Sequence, residues 1–448
     1  MRVLDSAIFS PLFSDAETSA LLTDEAFVSA LVEVEAALAR AQAKLGVIPA
    51  TAGERISKIQ AADIEINALT QGSVRSGFPI IALVQQMREQ AGKQAGPYVH
   101  WGATTQDIMD TASVLQMRAA IELFKPAILK IIRRLSELAQ RHRTTVLAGR
   151  THGQQALPIT FGLKVASWIA PMLRHIDRLD EILPRLLVIQ FGGAAGTLAA
   201  LGDKGLAVSE AMADELKLSV PVMSWHAQRD SLVEFGGWLS LVTGSLGKMA
   251  QDVILLAQTE VGEAAESGEQ GRGGSSTMPQ KSNPITSELM LAAARTNASL
   301  LSALHHAQIQ EHERATHGWQ VEWLTLPQMM ILAGGALKHA LGLAQTLQVD
   351  DAAMRANMTR ANNIVLAEPA VFALSKSMPR TKAEEIVKDA CRVAMSEAKP
   401  LIDVVKDMAA VPDGTIDWQW LSDPANYLGE TETIVDRVLE RANELLRK

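Results

Sequence analysis

LVEFGGWLSLVTGSLGKMAQDVILL, residues 232–256, is the segment that most strongly indicates the architecture of this 448-residue chain. It contains no proline, and its apolar residues recur in alternating steps of three and four: Leu232, Phe235, Leu239, Val242, Leu246, Met249, Val253 and Leu256. This 3.5-residue repeat is typical of helices that pack along one another. Glycines and further apolar residues occupy the other faces. The pattern therefore predicts a long helix, buried on most sides, at the centre of a helical bundle.

Proline spacing extends this helical interpretation to the rest of the chain. The intervals between Pro284 and Pro327 and between Pro327 and Pro369 each have room for long helices, whereas five prolines after residue 362 predict shorter ones. Aromatic residues make up only 4% of the chain, which favours helices over sheets. We predict an all-α protein of three helical domains: an N-terminal domain over 1–111, a central long-helix bundle over 112–362 and a C-terminal domain over 363–448.

The composition excludes several classes of protein. A net charge of −8 argues against a nucleic-acid partner, because phosphate binding requires a basic face. The single cysteine, Cys391, excludes an intrachain disulfide, and no Cys/His spacing typical of a metal site occurs. The first residues do not resemble a secretion signal, and no apolar run is long enough to span a membrane. We expect a soluble cytoplasmic protein that binds no metal.

A glycine-rich segment, GRGGSSTMPQKSNP at residues 271–284, concentrates groups that could carry chemistry. Its glycines permit unusual backbone angles, and hydroxyls, a lysine and an asparagine follow within a few residues. Asn283 before Pro284 predicts a helix N-cap followed by proline at the first helical position. A loop that leads into a helix N-terminus is suited to binding an anion and covering it. The alternative is a flexible surface linker, which would not need this combination of residues.

A second segment, YVHWGATTQD at residues 98–107, predicts the start of another helix. Thr104 and Asp107 have the spacing of a capping box. In that position Thr104 and Thr105 could hold a carboxylate with their hydroxyls and with free N–H groups of the helix. The alternative is a plain cap, with His100 as a hydrogen-bonded core histidine.

Two further polar segments stand out. GRTHGQQALP at residues 149–158 precedes an apolar helix, and His152 within it could transfer protons at neutral pH, although a structural histidine is the alternative. QEHERATHGWQVEW at residues 310–323 is charged and aromatic within an apolar region. Arg314 there is suited to bidentate binding of a carboxylate, and the alternative is a solvated helix face.

In their order along the chain, these segments resemble the active-site regions of the fumarase/aspartase superfamily. The most specific part is GSSTMPQKSNP at residues 274–284, and residues 100–107 and 150–158 match the two other regions. The resemblance implies a homotetramer with a central bundle of long helices and active sites that are each assembled from three subunits. It also implies a small polycarboxylate substrate, no cofactor, and reversible elimination next to a carboxylate.

The same resemblance implies roles for individual residues. Ser275 is the base that removes the proton beside the carboxylate, His152 is a general acid or activates a water, and Glu288 pairs with this histidine. Preorganised donors must stabilise the enolate-like intermediate. The substrate-binding residues implied are His100, Thr104, Thr105, Arg150, Gln154, Ser276, Lys281, Asn283 and Arg314.

Several other segments resemble the superfamily's bacterial 3-carboxy-cis,cis-muconate cycloisomerases, among them LVIQFGGAAG at residues 187–196 and WHAQRD at residues 225–230. Those enzymes add a substrate carboxylate across a conjugated double bond to form a lactone. They often have tryptophan in place of His152 and a small residue in place of Glu288, whereas this chain keeps the pair typical of eliminating lyases. A lyase that cleaves a C–N or C–O bond of a succinyl-type substrate is therefore the alternative, and a non-catalytic binding protein is a third possibility.

Overall fold

The computed structural model describes residues 3–267, 273–274, 277–278, 281–314 and 317–447. Most of these residues are helical and the strands are short, which confirms the predicted all-α class. The helices are α1 Ser10–Phe13, α2 Ala16–Ala20, α3 Asp24–Lys44, α4 Ala50–Ile56, α5 Ile66–Ser76, α6 Ile80–Ala95, α7 Thr105–Arg141, α8 Phe161–Leu186, α9 Gly205–Leu216, α10 Asp230–Leu256, α11 Ile285–Ala307, α12 Gly318–Thr346, α13 Asp351–Arg360, α14 Ala367–Leu374, α15 Arg380–Glu397, α16 Leu401–Met408, α17 Trp418–Leu421 and α18 Thr431–Arg447. The strands are β1 Val146–Thr151, β2 Gln154–Thr160, β3 Ala264–Ala265 and β4 Gln348–Val349.

Helix α10 contains the apolar repeat found in the sequence, and all eight residues of that repeat are buried. Gly236 allows α11 to approach closely, because a Cβ at this position would lie 2.4 Å from Leu304 Cδ1. Leu241 and Leu255, on other faces of α10, are 50% and 48% exposed. Burial is therefore confirmed for the repeat but not for these two leucines within a single chain.

By length and composition alone, α10 is also the one described helix that could cross a membrane, contrary to the expectation that no apolar run is long enough. Half of its most apolar window is buried inside the protein. Asp252 near its end accepts a hydrogen bond from Trp168 Nε1 at 2.7 Å and also binds Lys248. These contacts are typical of a core helix in a globular protein.

Four prolines lie inside long helices instead of ending them: Pro126 in α7, Pro171 and Pro184 in α8, and Pro327 in α12. The helix boundary expected at Pro327 is therefore wrong. An interior proline removes one backbone hydrogen bond. The neighbouring Leu326 and Met329 are buried, and their packing stabilises α12 across the proline.

The chain forms two compact units, and each unit is discontinuous in sequence. Unit 1 comprises Met1–Ala127, His175–Gly244 and Ala292–Lys338, and unit 2 comprises Ile128–Arg174, Ser245–Leu291 and His339–Lys448. In unit 1, α3 packs against α4 and α9. In unit 2, α13 to α16 enclose an apolar core that includes Leu366, Leu374, Val387, Leu401 and Val405. The three-domain division at residues 111 and 362 stays a prediction.

A β-hairpin in unit 2 was not predicted. Strands β1 and β2 pair antiparallel over the segment interpreted from sequence as a polar lead into a helix, and α8 begins only at Phe161. His152 and Gly153 form the two-residue connection, with φ angles of 51° and 78°. Positive φ at both positions is the requirement of the tight turn that joins two twisted strands. The sequence signal was the His152-Gly153 pair, and the helical composition of the rest of the chain obscured it.

Candidate active site

The N-terminus of α7, in unit 1, brings together two of the predicted substrate-binding residues. Thr104 is the residue before the helix, and its N–H donates to Asp107 Oδ2 at 2.9 Å, which confirms one half of the predicted capping box. The other half is replaced, because the Thr104 hydroxyl accepts from Arg314 Nη1 at 2.7 Å. Arg314 also lies 3.4 Å from the carbonyl oxygen of Ala194. The N–H of Thr104 is therefore not free for a ligand, whereas Arg314 brings a positive charge to this helix end.

The side chain of Asp107, in the first turn of α7, accepts hydrogen bonds from several parts of unit 1. Its buried carboxylate accepts from the N–H groups of Gly192 and Gly193, both at 2.9 Å, and lies 2.7 Å from His226 Nε2. From the sequence, Asp107 was predicted only as part of a capping box. The available signal was the pair of glycines in residues 187–196, which allow two successive N–H groups to approach one carboxylate.

His100 lies in the turn before α7 in unit 1, with a left-handed backbone (φ 64°). Its Nδ1 is 2.5 Å from Oε1 of Glu35, a buried residue of α3. Burial would lower the pKa of His100, but the charge and hydrogen bond of Glu35 outweigh it and raise the pKa above its ordinary value. Thr105, the first residue of α7, is half-buried.

The hairpin of unit 2 carries three of the predicted residues. Arg150 binds Glu263 through both terminal nitrogens, at 2.8 and 2.6 Å, and Glu263 is completely buried. Asn357 also donates to Glu263, at 2.8 Å. His152 and Gln154, at the tip of the hairpin, are exposed. Arg150 thus anchors the hairpin, and its assignment to substrate binding stays a prediction.

The start of α11 differs from the sequence prediction. The helix begins at Ile285, and Asn283 does not cap it: its N–H and its Nδ2 donate to the carbonyl of Gly273, at 2.9 and 3.0 Å. Glu266 binds the helix end instead, accepting from Thr286 N at 3.0 Å and from Ser287 N at 2.7 Å. The anion expected at this helix N-terminus is therefore a carboxylate of the chain itself.

The remaining predicted residues of this region fall into two groups. Lys281, and Glu288 on the first turn of α11, are exposed, so both side chains are accessible in a single chain. Ser275 and Ser276 lie outside the described residues. Their assigned roles stay predictions.

A buried ion cluster in unit 1 was missed by the sequence analysis. The Arg229 guanidinium makes two hydrogen bonds to Asp110 and two to Glu322, at 2.5 to 3.0 Å, and Trp319 Nε1 donates to Asp110 at 2.9 Å. Burial raises the pKa of Glu322, although Arg229 acts in the opposite direction. These residues line one wall of a cavity of about 460 Å³. The sequence signal for Asp110 was its position among the apolar residues of a helix, three residues after Asp107; Arg229 and Glu322 had none.

Comparison with known proteins places the chain in a family. A family model described as lyase matches residues 13–296, and one described as adenylosuccinate lyase C-terminus matches residues 363–438. The 3-carboxy-cis,cis-muconate cycloisomerase of Pseudomonas aeruginosa is 43% identical over 444 residues, which are 98% of this chain and 97% of that protein.

Two solved structures are similar over nearly the whole chain. The 3-carboxy-cis,cis-muconate lactonizing enzyme from Pseudomonas putida is 40% identical with a TM-score of 0.93, covering 99% of this chain and 100% of that one. The fumarate lyase from Mesorhizobium sp. BNC1 is 41% identical with a TM-score of 0.88, covering 96% and 98%. These findings confirm the resemblance, and the chain belongs to the fumarase/aspartase superfamily of lyases, in the group that contains the 3-carboxy-cis,cis-muconate cycloisomerases.

Proposed function

We propose that the protein is a cycloisomerase that converts 3-carboxy-cis,cis-muconate to a carboxymuconolactone. The observation that carries the proposal is its similarity to an enzyme with that name over nearly the whole of both chains. We further propose that it acts in the cytoplasm as a homotetramer, with each active site assembled from three subunits.

The proposed reaction is an internal addition that needs no oxidant or reductant. An oxygen of one substrate carboxylate forms a C–O bond to a carbon of the conjugated diene, and one π bond is consumed. A proton is added to the carbon beside another carboxylate, which carries the developing negative charge until protonation. Preorganised donors and cations around that carboxylate lower the barrier. By microscopic reversibility, the base of the elimination direction, Ser275, supplies this proton in the cyclisation direction.

Arg314 and Thr104 support the binding part of the proposal. The Arg314 guanidinium is held against Thr104 Oγ1 at 2.7 Å, beside the N-terminus of the longest described helix. An arginine fixed at a helix N-terminus is suited to binding one carboxylate of a polycarboxylate substrate. Lys281 is exposed, and we propose it as a further cation for substrate binding.

A direct assay tests the function. The purified protein is incubated with 3-carboxy-cis,cis-muconate, and loss of the conjugated diene absorbance is followed together with appearance of the lactone by NMR. We expect turnover by the wild-type protein and almost none by Ser275→Ala with an intact oligomer. Absence of diene loss at micromolar enzyme would overturn the proposal.

A lyase is the second candidate, and His152 with Glu288 is the observation that favours it. Both side chains are exposed in a single chain and match the acid and its partner in eliminating members of the superfamily. A parallel assay with adenylosuccinate and argininosuccinate, with detection of fumarate, distinguishes the two. Fumarate release without diene loss would favour the lyase.

A further inference from the structure

The carboxylate of Asp107 joins three segments of unit 1. Oδ1 lies 2.9 Å from Gly192 N and 2.7 Å from His226 Nε2, and Oδ2 lies 2.9 Å from the backbone nitrogens of Thr104 and Gly193. An ionised carboxylate offers about four acceptor positions, so these donors saturate it. Because the side chain is completely buried, its charge is stable only with such pairing.

Asp107 fixes both groups that hold Arg314. The first is Thr104, whose N–H is on Asp107 and whose hydroxyl accepts from Arg314. The second is the carbonyl of Ala194, which directly follows Gly192 and Gly193 in the chain and lies 3.4 Å from the same guanidinium nitrogen. The position of the guanidinium therefore depends on one buried carboxylate that Arg314 itself does not need to touch.

The two glycines whose N–H groups bind Asp107 leave no room or backbone freedom for a side chain. A Cβ on Gly192 would lie 2.6 Å from the Cβ of Ser224, and Gly193 has a φ of 68°. A side chain at either position would shift the turn, since the first would clash and the second would strain the backbone. The two glycines therefore act together with Asp107 in fixing the position of this turn.

We infer that Asp107 is a positioning residue that orients Thr104 and Arg314 for binding of a substrate carboxylate. This inference rests on the proposed function and extends it to a buried group. In the isosteric Asp107→Asn variant an NH2 group replaces one of the two oxygens, so two of the four donors lose their acceptor, and the negative charge is removed. The hydrogen bonds that hold Thr104 and the Gly192–Ala194 turn to this side chain are then fewer and weaker, and Arg314 loses its alignment.

Asp110 provides a matched control on the same helix. It is also a buried carboxylate, but its partners are Arg229 and Trp319, whose hydrogen bonds go to Glu322, Trp225 and Asp110 and not to Thr104 or Arg314. Asp110→Asn therefore introduces the same chemical change one turn away. A general loss of stability is expected in both variants, whereas Arg314 is expected to be misplaced only in Asp107→Asn.

The experiment measures KM and kcat of both variants with 3-carboxy-cis,cis-muconate. We expect Asp107→Asn to raise KM about tenfold through loss of roughly one charge-assisted contact, with kcat much less affected, because the contact is made in both the ground and transition states. Asp110→Asn should keep a KM close to wild type. In the double variant Asp107→Asn, Arg314→Ala, the rise in KM should be smaller than the product of the two single effects.

Each outcome decides the inference. If the wild-type protein turns over the substrate, the proposed function stands. In that case, equal KM values for the two asparagine variants, or fully multiplicative effects in the double variant, would overturn the inference alone. If the wild-type protein does not consume the substrate, the proposed function fails, and this inference with it. If Asp107→Asn does not fold, the same measurement is made on Gly193→Ala, which shifts the turn that binds Asp107. A raised KM in this variant supports the inference, and a wild-type KM overturns it.

Discussion

The carboxylate of Glu266 binds Ser287 twice: Oε1 accepts from its backbone N–H at 2.7 Å and from its hydroxyl at 2.6 Å. Ser287 lies in the first turn of α11, where backbone N–H groups have no partner within the helix. Glu266 therefore neutralises the helix end at which the sequence predicted an external anion. It also ties residue 266, before the glycine-rich segment, to residue 287 after it.

Replacement of Glu266 by alanine should destabilise the protein by about 1–2 kcal/mol, as for loss of a helix cap. Sulfate should stabilise the variant more than the wild type, since only in the variant is the helix N-terminus free to bind an anion, whereas the general stabilising effect of the salt is common to both. Denaturant unfolding with and without sulfate measures both effects. The exposed Glu260→Ala is the control for loss of an acidic side chain in the same region. A Glu266→Ala variant as stable as this control would show that the cap contributes nothing.

Removal of Arg229 should have a much larger effect. Arg229→Met leaves Asp110 and Glu322 buried without their counter-charge, which costs about 3–5 kcal/mol. The pKa of Glu322, already raised by burial, rises further when Arg229 is absent. A raised folded-state pKa gives stabilisation that is present at low pH and lost as pH rises through that pKa. The deficit relative to wild type should therefore be larger at neutral pH than in mild acid.

Unfolding in denaturant at both pH values measures the Arg229→Met deficit. Arg185→Met removes an exposed arginine that pairs with Glu234, and we expect it to change stability little. A deficit of equal size at both pH values would contradict the assigned role of Glu322.

Periodicity was sufficient to predict the helix class because the 3.5-residue repeat of α10 depends on local spacing alone. The hairpin was missed because His152 and Gly153 join strands in a chain whose composition is helical. The Arg229 cluster and the contacts of Glu266 and Asp107 were missed for a different reason. Their partners are distant in sequence: Glu266 and Ser287 are 21 residues apart, and Arg229 is 119 residues from Asp110. No local pattern encodes such pairings.

His100 should make the stability of the protein depend on pH. Its pKa is lowered by burial but raised more strongly by Glu35, so the folded-state pKa lies above the ordinary value of about 6.5. The stabilisation is then fully present below the unfolded-state pKa and is lost as pH rises through the folded-state pKa. The stability difference between wild type and His100→Gln should shrink across that interval. Chemical unfolding over this range measures it, with the exposed His306→Gln as control, and a difference that does not vary with pH would refute the assignment.

His152→Trp distinguishes the two candidate reactions. His152 is exposed at the tip of the hairpin, so a larger side chain does not disturb the core of its own chain. A cycloisomerase that does not use a histidine acid at this position should keep kcat/KM within about tenfold, whereas loss of a general acid typically costs roughly 10²–10⁴-fold.

His152→Asn separates this chemical effect from backbone strain. The residue at 152 has a φ of 51°, a conformation that asparagine adopts more readily than tryptophan. If both variants keep cyclising 3-carboxy-cis,cis-muconate, His152 is not the acid of that reaction and the cycloisomerase proposal gains support. If the asparagine variant is active and the tryptophan variant is not, the loss comes from the backbone or from the size of the side chain. Loss of activity in both would identify His152 as a required group and would favour chemistry of the eliminating-lyase type.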